Sequence, residues 1–345
     1  MRGEMCVRRS GADATQPTPA RRLKKVLNLA LQGGGSHGAF TWGVLDRLLE
    51  DERVEIEGVS GASAGALNAA LLAYGLTAGG PQAARRALAS FWTGVASSAP
   101  SPLVESLVFL ARFLSPQQFN PLNLNPLRDI LLQSIDFDRL RAYCKLELFV
   151  SATHVKTGKP RIFRTHEITA EVLLASACLP WMHRAIEIDG DAYWDGGLTA
   201  NPPVRSLLYE CEARDIVLVL LQPSQISGLP ASVEDIWARM TEMGFSSALY
   251  AELEGIALAK REAQRSFLLF GRLERKLRRL RLHHLCAPSA ASTHSRFNTR
   301  SVFMQALFEA GRKEAQDWLT RFFGPDAPLR GATSTLAASA SDVTR

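Results

Sequence analysis

Ser63 lies in Gly61-Ala62-Ser63-Ala64-Gly65, which fits the pattern GxSxG. A serine hydroxyl gains nucleophilic use when a sharp turn between strand and helix lifts it clear of the backbone. Small neighbours permit the strained angles, and a helix N-terminus favours negative charge developing nearby. Upstream, Gly33-Gly34-Gly35-Ser36-His37-Gly38 is a glycine-rich loop. Its main-chain N–H groups suit an oxyanion. They suit a pyrophosphate as well, because the loop also fits GxGxxG. Far downstream, Asp195-Gly196-Gly197 follows Tyr193 and Trp194. A carboxylate followed by two glycines can approach another loop closely, since glycine presents no side chain. Each piece alone has an ordinary reading as a small-residue turn. Together they offer a nucleophile, amide donors and a base.

Those pieces need elements to hold them. Lys24 to Gln32 reads as a short apolar strand running into the glycine loop. Phe40, Val44, Leu45, Leu48 and Leu49 then fall on one face at helical spacing. Residues 54–61 form a second strand, and a small-residue helix runs on from Ser63 with Gly75 as its C-terminal stop. The order strand, glycine loop, helix, strand, sharp turn, helix predicts an α/β fold with a mostly parallel central sheet. Further on, 146–155 and 160–164 read as strands and 167–179 as a helix. Residues 185–197 read as a hairpin turning at Asp189-Gly190. The run 215–223 is apolar enough for a strand buried on both faces. Residues 231–279 read as mostly helical, 279–285 as a returning strand and 297–323 as an amphipathic helix.

The three motifs in this order resemble the patatin-like phospholipase family over roughly residues 26–206, with further similarity in 175–182 and 193–204. The resemblance implies a three-layer α/β/α fold, with the catalytic domain at 26–206. Beyond the span of the resemblance, 207–323 reads as a C-terminal α/β and helical extension packed on the same core. It also implies a lipid or phospholipid ester as substrate, with Ser63 as nucleophile, Asp195 as base and Gly33, Gly34 and Gly35 as oxyanion donors. Gly38, Gly61, Gly65, Gly196 and Gly197 complete the motifs. No histidine, metal or organic cofactor takes part in the chemistry so implied. One position departs from the family pattern: His37 stands where family members commonly carry Arg or Lys. A group with an ordinary pKa near 6.5 would make the charge of the loop respond to pH. The amphipathic segment 102–114 reads as a packed surface helix, with a mobile cap over a lipid site as the alternative.

Three rival readings remain open at this level. A dinucleotide-binding loop would use Glu55 or Glu57 on the ribose. An α/β-hydrolase triad would recruit one of His37, His154, His166, His183, His283, His284 and His294. A non-catalytic lipid-binding module would keep the pocket without the reaction.

Composition bounds the rest. The 345 residues are 46% hydrophobic and 21% charged, as in ordinary folded domains. Net charge is +6, which suits an anionic partner such as a membrane surface. No zinc spacing or aromatic-interleaved basic run points to nucleic acid. Residues 1–23 read as a disordered basic arm and 324–345 as a disordered tail. The cysteines Cys6, Cys144, Cys178, Cys211 and Cys286 have no CxxC or metal-ligand spacing and read as free thiols. Without a secretory or membrane-spanning stretch, the sequence predicts a cytoplasmic protein, at most peripheral to a membrane.

Overall fold

The computed structural model describes residues 24–97, 118, 120, 125–222, 228–266, 271–288 and 293–324. The expected arm, the segment 102–114 and all of the expected tail but Gly324 lie outside the described residues.

The centre is β1 (Lys25–Leu31), whose period of two sends alternate side chains to opposite faces. Leu27, Leu29 and Leu31 join one buried cluster, and Ala30 joins the other. β2 (Val54–Gly61) pairs with β1 in parallel on one side and β7 (Asp215–Leu220) on the other, with β8 (Arg281–Cys286) outside β7. Beyond β2 lies β3 (Glu147–His154), also parallel. Two strands run against this direction, β4 (Pro160–Arg164) and β6 (Asp191–Asp195), both on β3, while β5 (Ile186–Ile188), antiparallel to β6, runs with the parallel strands again. The sheet is mixed but mostly parallel, in the order β5-β6-β3-β2-β1-β7-β8 with β4 also on β3.

Helices cover both faces, as a parallel sheet requires. One layer carries α1 (Gly38–Leu49), α2 (Ala64–Gly79), α3 (Pro81–Ser97), α4 (Pro126–Ser134), α5 (Phe137–Tyr143), α6 (Ala170–Ser176) and α10 (Ser301–Phe323). The other carries α7 (Val204–Glu210), α8 (Val233–Arg265) and α9 (Arg272–Arg279). This is a three-layer α/β/α fold. No helix among the described residues is long and apolar enough to cross a membrane.

Several expected helix boundaries move. Gly75 does not end α2, which continues to Gly79 and is closed by Gly80 at φ 76°. A Cβ on Gly75 would fall 2.2 Å from the Ala84 Cα, so this glycine lets α2 and α3 touch backbone to backbone. The helix expected over 167–179 begins at Ala170, capped by the Thr169 hydroxyl, and stops at Ser176. The hairpin turn does sit at Asp189-Gly190, both with positive φ, as a two-residue hairpin needs.

α10 crosses α1 at a pair of glycines. A Cβ on Gly43 would lie 2.0 Å from the Phe308 carbonyl, and one on Gly311 would lie 2.1 Å from the Phe40 carbonyl. Arg312 then reaches Asp46 and Glu50 on α1, where Arg85 of α3 also binds Asp46 at 2.7 Å. Replacing Gly311 by Ala therefore destabilises the protein by roughly 1–3 kcal/mol, read as a lower urea midpoint. The matched change Gly255→Ala on α8, where a Cβ meets nothing within 4 Å, raises the midpoint slightly because alanine is the better helix former.

Candidate active site

Ser63 sits at the tip of the β2–α2 turn with φ 51° and ψ −126°, a conformation that side-chain-bearing residues rarely adopt. Close packing enforces it. A Cβ on Gly61 would lie 2.6 Å from the backbone of Gly65, and one on Gly65 would lie 2.0 Å from the Leu31 carbonyl. The Ser63 N–H donates to Ser176 Oγ at 3.0 Å, and the Gly65 N–H donates to the Ala62 carbonyl at 2.8 Å. α2 starts at Ala64, so its N-terminus, where partial positive charge collects, faces the hydroxyl.

Register brings Asp195 to the same place. β2 occupies one edge of β3 as far as Gly61 opposite Val150, and β4 occupies the other edge from Phe149 to Thr153. β6 pairs with Ala152, Thr153 and His154, and therefore takes the β2 edge just beyond the point where β2 ends. Asp195 is opposite Ala152, two residues or about 7 Å along the strand from the partner of Gly61. Its main chain is pinned by its N–H on the Cys178 carbonyl and by the Thr153 hydroxyl on its own carbonyl, both at 2.8 Å. The Gly197 N–H donates to Oδ1 at 2.7 Å. Gly196 packs on the Ser151 carbonyl, and Gly197 packs under the Phe245 ring.

The carboxyl of Asp195 is fully buried. Burial pushes its pKa up from 3.8 to about 7, against the opposing pull of the Gly197 amide, the Ser63 hydroxyl and the charge of Arg296. The hydroxyl is thus close enough to favour the ionised carboxylate. Oδ2 nevertheless has no partner of full hydrogen-bond geometry among the described residues. The resting pair therefore face each other in an open contact, of the kind that tightens when substrate binds.

The glycine loop touches the serine directly, since a Cβ on Gly33 would lie 2.8 Å from the Ser63 Cβ. Gly33 was expected to donate to an oxyanion. Its N–H instead donates to Asn201 Oδ1 at 2.7 Å, which leaves Gly34 and Gly35 as the candidate donors of the loop. Neither Gly34 nor Gly35 has an acceptor for its N–H among the described residues, and Gly35 is exposed at φ 61°. His37 also departs from expectation. It is buried, its Nε2 lies 2.8 Å from Ser295 Oγ, and desolvation followed by the charge of Arg296 lowers its pKa to about 4. The ring is neutral at ordinary pH, so the charge of the loop does not switch there.

Several residues that hold the site lay outside the sequence reading. Asn201 links the loop to α8, because its Nδ2 donates to the Phe245 carbonyl at 2.8 Å. The Ser36 hydroxyl reaches the carbonyls of Ser295 and Arg296, at 3.0 and 2.9 Å. The Arg296 guanidinium lies 3.8 Å from Glu242 of α8. Asn68 ties α1, α2 and α3 through the Gly38 and Ala64 carbonyls and the Trp92 indole. Asn201 and Ser176 fall inside the two stretches already singled out at 193–204 and 175–182. Arg296 sits in a polar turn with no pattern to mark it.

Glu55 and Glu57 lie in the half of β2 away from the glycine loop, and Glu57 accepts the N–H groups of Glu212 and Ala213. A ribose-binding acid belongs at the C-terminal end of its strand, so the dinucleotide reading fails on position. The two glutamates instead help to line a groove of about 1100 Å³ with Lys25, Asp215 and Arg281, at the opposite end of the strands from Ser63.

The patatin-like phospholipase family matches residues 29–208, more than half of the chain. The chain belongs to that family. No curated protein matches it. Among solved structures it is similar to VipD from Legionella pneumophila, at 15% identity and a TM-score of 0.43 over 86% of this chain and 66% of that one. It is also similar to the ExoU–SpcU complex from the type III secretion system of Pseudomonas aeruginosa, at 17% identity and a TM-score of 0.38 over 86% and 51%. The chain thus spans about two thirds and one half of those chains. The patatin-like match takes in the glycine loop, Ser63, Asp195 and Asn201, whereas Glu242, Phe245 and Arg296 come from beyond it.

The raised pKa of Asp195 has a consequence for stability that is independent of turnover. Folded protein keeps the Asp195 proton up to about pH 7, while the unfolded chain releases it near 3.8. Stability attributable to this group is fully present below pH 3.8 and lost as pH rises through 7. The loss is on the order of 4 kcal/mol at about 1.4 kcal/mol per pKa unit. Asp195→Asn therefore raises Tm over the parent much more at pH 8 than at pH 5, as calorimetry at the two pH values would register. An equal gain at both would mean that the carboxyl is ionised throughout.

Proposed function

We propose that this patatin-like chain is a serine acyl hydrolase that cleaves carboxylic esters of lipids or phospholipids with Ser63 and Asp195. Family membership implies lipid acyl hydrolase chemistry. The observation that carries the finer reading is the fully buried Asp195 carboxyl facing the Ser63 hydroxyl. Ionised Asp195 takes the hydroxyl proton as Ser63 Oγ attacks the ester carbonyl. The Gly34 and Gly35 amides and the N-terminus of α2 face the oxygen that becomes negative. Collapse of the tetrahedral intermediate expels the alcohol, which takes the proton back from Asp195. Water, deprotonated by the same carboxylate, then releases the fatty acid from the acyl-enzyme. A base with a pKa near 7 suits this work far better than an ordinary aspartate.

Two observations weigh against the rivals. No histidine contacts the Asp195 carboxylate among the described residues: Oδ1 holds the Gly197 amide, Oδ2 has no partner, and the hydroxyl that acts on the carboxyl is that of Ser63. His154 and His283 are engaged instead by Asp191 and Asp215. A passive lipid-binding module would gain nothing from a strained serine and a destabilising buried carboxylate.

Ser63→Ala and Asp195→Asn are each expected to lower kcat on a soluble short-chain ester by about three orders of magnitude or more. Substituting the seven histidines one at a time should leave kcat within tenfold. Activity should rise with pH through about 7 as Asp195 ionises. Arg296→Gln removes a charge that favours the carboxylate, so it should move this limb to higher pH. A histidine variant as damaged as Ser63→Ala would replace the dyad with a triad. Full activity in Ser63→Ala would end the proposal.

A further inference from the structure

The first half of α8 is apolar on two opposite faces. Inward, Phe245, Ser246 and Leu249 are buried, and Glu242 is buried beside Arg296. Outward, Val233, Ile236, Trp237, Met240 and Met243 are all exposed, from 42% to 72%. Their spacing of three and four residues makes one stripe on a helix, and Gly244 and Ser247 continue it without a charge. An amphipathic surface helix ordinarily turns charge towards water. This one turns an indole and two thioethers outward on the side opposite its core contacts.

Resting on the hydrolase reading above, we propose that this stripe docks the enzyme on a lipid–water interface. The stripe belongs to the helix whose other face builds the site: the Phe245 carbonyl holds Asn201, which holds Gly33, and the Phe245 ring covers Gly197. Docking through this helix therefore sets the dyad next to the surface from which its substrate must be drawn. A second indole, Trp181, stands on the Phe245 ring at 6.3 Å and is half exposed. Tryptophan suits the headgroup level of a membrane, where its apolar body and polar N–H are both accommodated. The net charge of +6 favours an anionic surface. A second copy of the chain is the weaker occupant. The stripe from Val233 to Met243 covers about 16 Å of helix at 1.5 Å per residue, which amounts to a few hundred Å². A stable dimer needs about 800 Å² from each partner.

The test uses the full chain and vesicles of equal parts phosphatidylglycerol and phosphatidylcholine, with Ser63→Ala as background so that the lipid stays intact. Co-sedimentation should show binding by the Ser63→Ala protein. Adding Trp237→Glu or Met240→Glu should weaken that binding at least tenfold, while Trp237→Phe should keep it within threefold. Unchanged circular dichroism and thermal unfolding would show that the variants fold. With Ser63 intact, Trp237→Glu should lower hydrolysis of vesicle lipid by a similar factor and leave hydrolysis of a soluble short-chain ester alone. Binding insensitive to both glutamate variants overturns the proposal, even where the soluble ester is hydrolysed. So does a dimer in sedimentation velocity that Trp237→Glu dissociates, with no binding to vesicles. Stripe-dependent binding without hydrolysis of either substrate would keep the docking face and remove the hydrolase reading.

Discussion

Everything in this structure turns on a carboxylate kept out of water beside a hydroxyl. Asp195 is fully buried, has one firm amide donor and leaves one oxygen without a settled partner. Buried polar groups are nearly always satisfied, and an orphan among them marks either strain or work. Here the carboxyl that carries the orphan lies against Ser63, which is held at a strained positive φ at a strand-to-helix turn. Two unfavourable local arrangements meeting at one point are hard to attribute to packing alone, because either would relax if its surroundings allowed it. The surroundings do not allow it, since glycines on both loops pack against backbone at distances that admit no side chain.

β3 is what makes the meeting possible. It is long enough to pair with β2 along its first half and with β6 along its second, while β4 closes its other edge. The antiparallel strand fills the space left where a parallel strand stops, and its last residue is the aspartate. Positions far apart in sequence are thereby set by hydrogen-bond register rather than by loop conformation, and register resists slippage because a shift of one residue would exchange the two faces. Helices on both sides then exclude water, which raises the basicity of the carboxylate.

Much of this was legible in the chain because local chemistry marked it. The strand–glycine–helix and strand–serine–helix units announce themselves through small residues in places where nothing larger fits, and Asp189-Gly190 marks the hairpin that ends at Asp195. Three things were not legible. Gly75 looked like a helix stop, yet a glycine in a helix also serves where another helix presses against its backbone, and only the packing with Ala84 tells the two uses apart. Gly33 looked like a donor, yet its amide is taken by Asn201, 168 positions away. His37 looked titratable, yet burial beside Arg296 keeps it neutral. Gly33 and His37 have partners distant in sequence, and the partner of Gly75 lies on the next helix; periodicity and spacing carry no information about such contacts.

Arg296 shows how the site is balanced from outside the region that matches the family. Its own burial lowers its pKa, and Glu242 and Asp195 pull it back. It sits within reach of the catalytic candidate without forming an ion pair with it, and Glu242 at 3.8 Å supplies the nearer countercharge. A direct pair would hold Asp195 well below neutrality and leave it a poor base, whereas no cation at all would let burial drive the carboxyl higher still and keep it protonated. An arginine held one step away by a glutamate lies between these limits. The polar turn that carries it binds Ser36 through two carbonyls and places the Arg296 carbonyl against Gly35. The same contact thus fixes the candidate oxyanion loop and tunes the carboxyl of the candidate base. α8 supplies both Glu242 and the Phe245 carbonyl that orients Asn201. It follows that residues beyond 208 help to build the candidate site and are not an appendage to it.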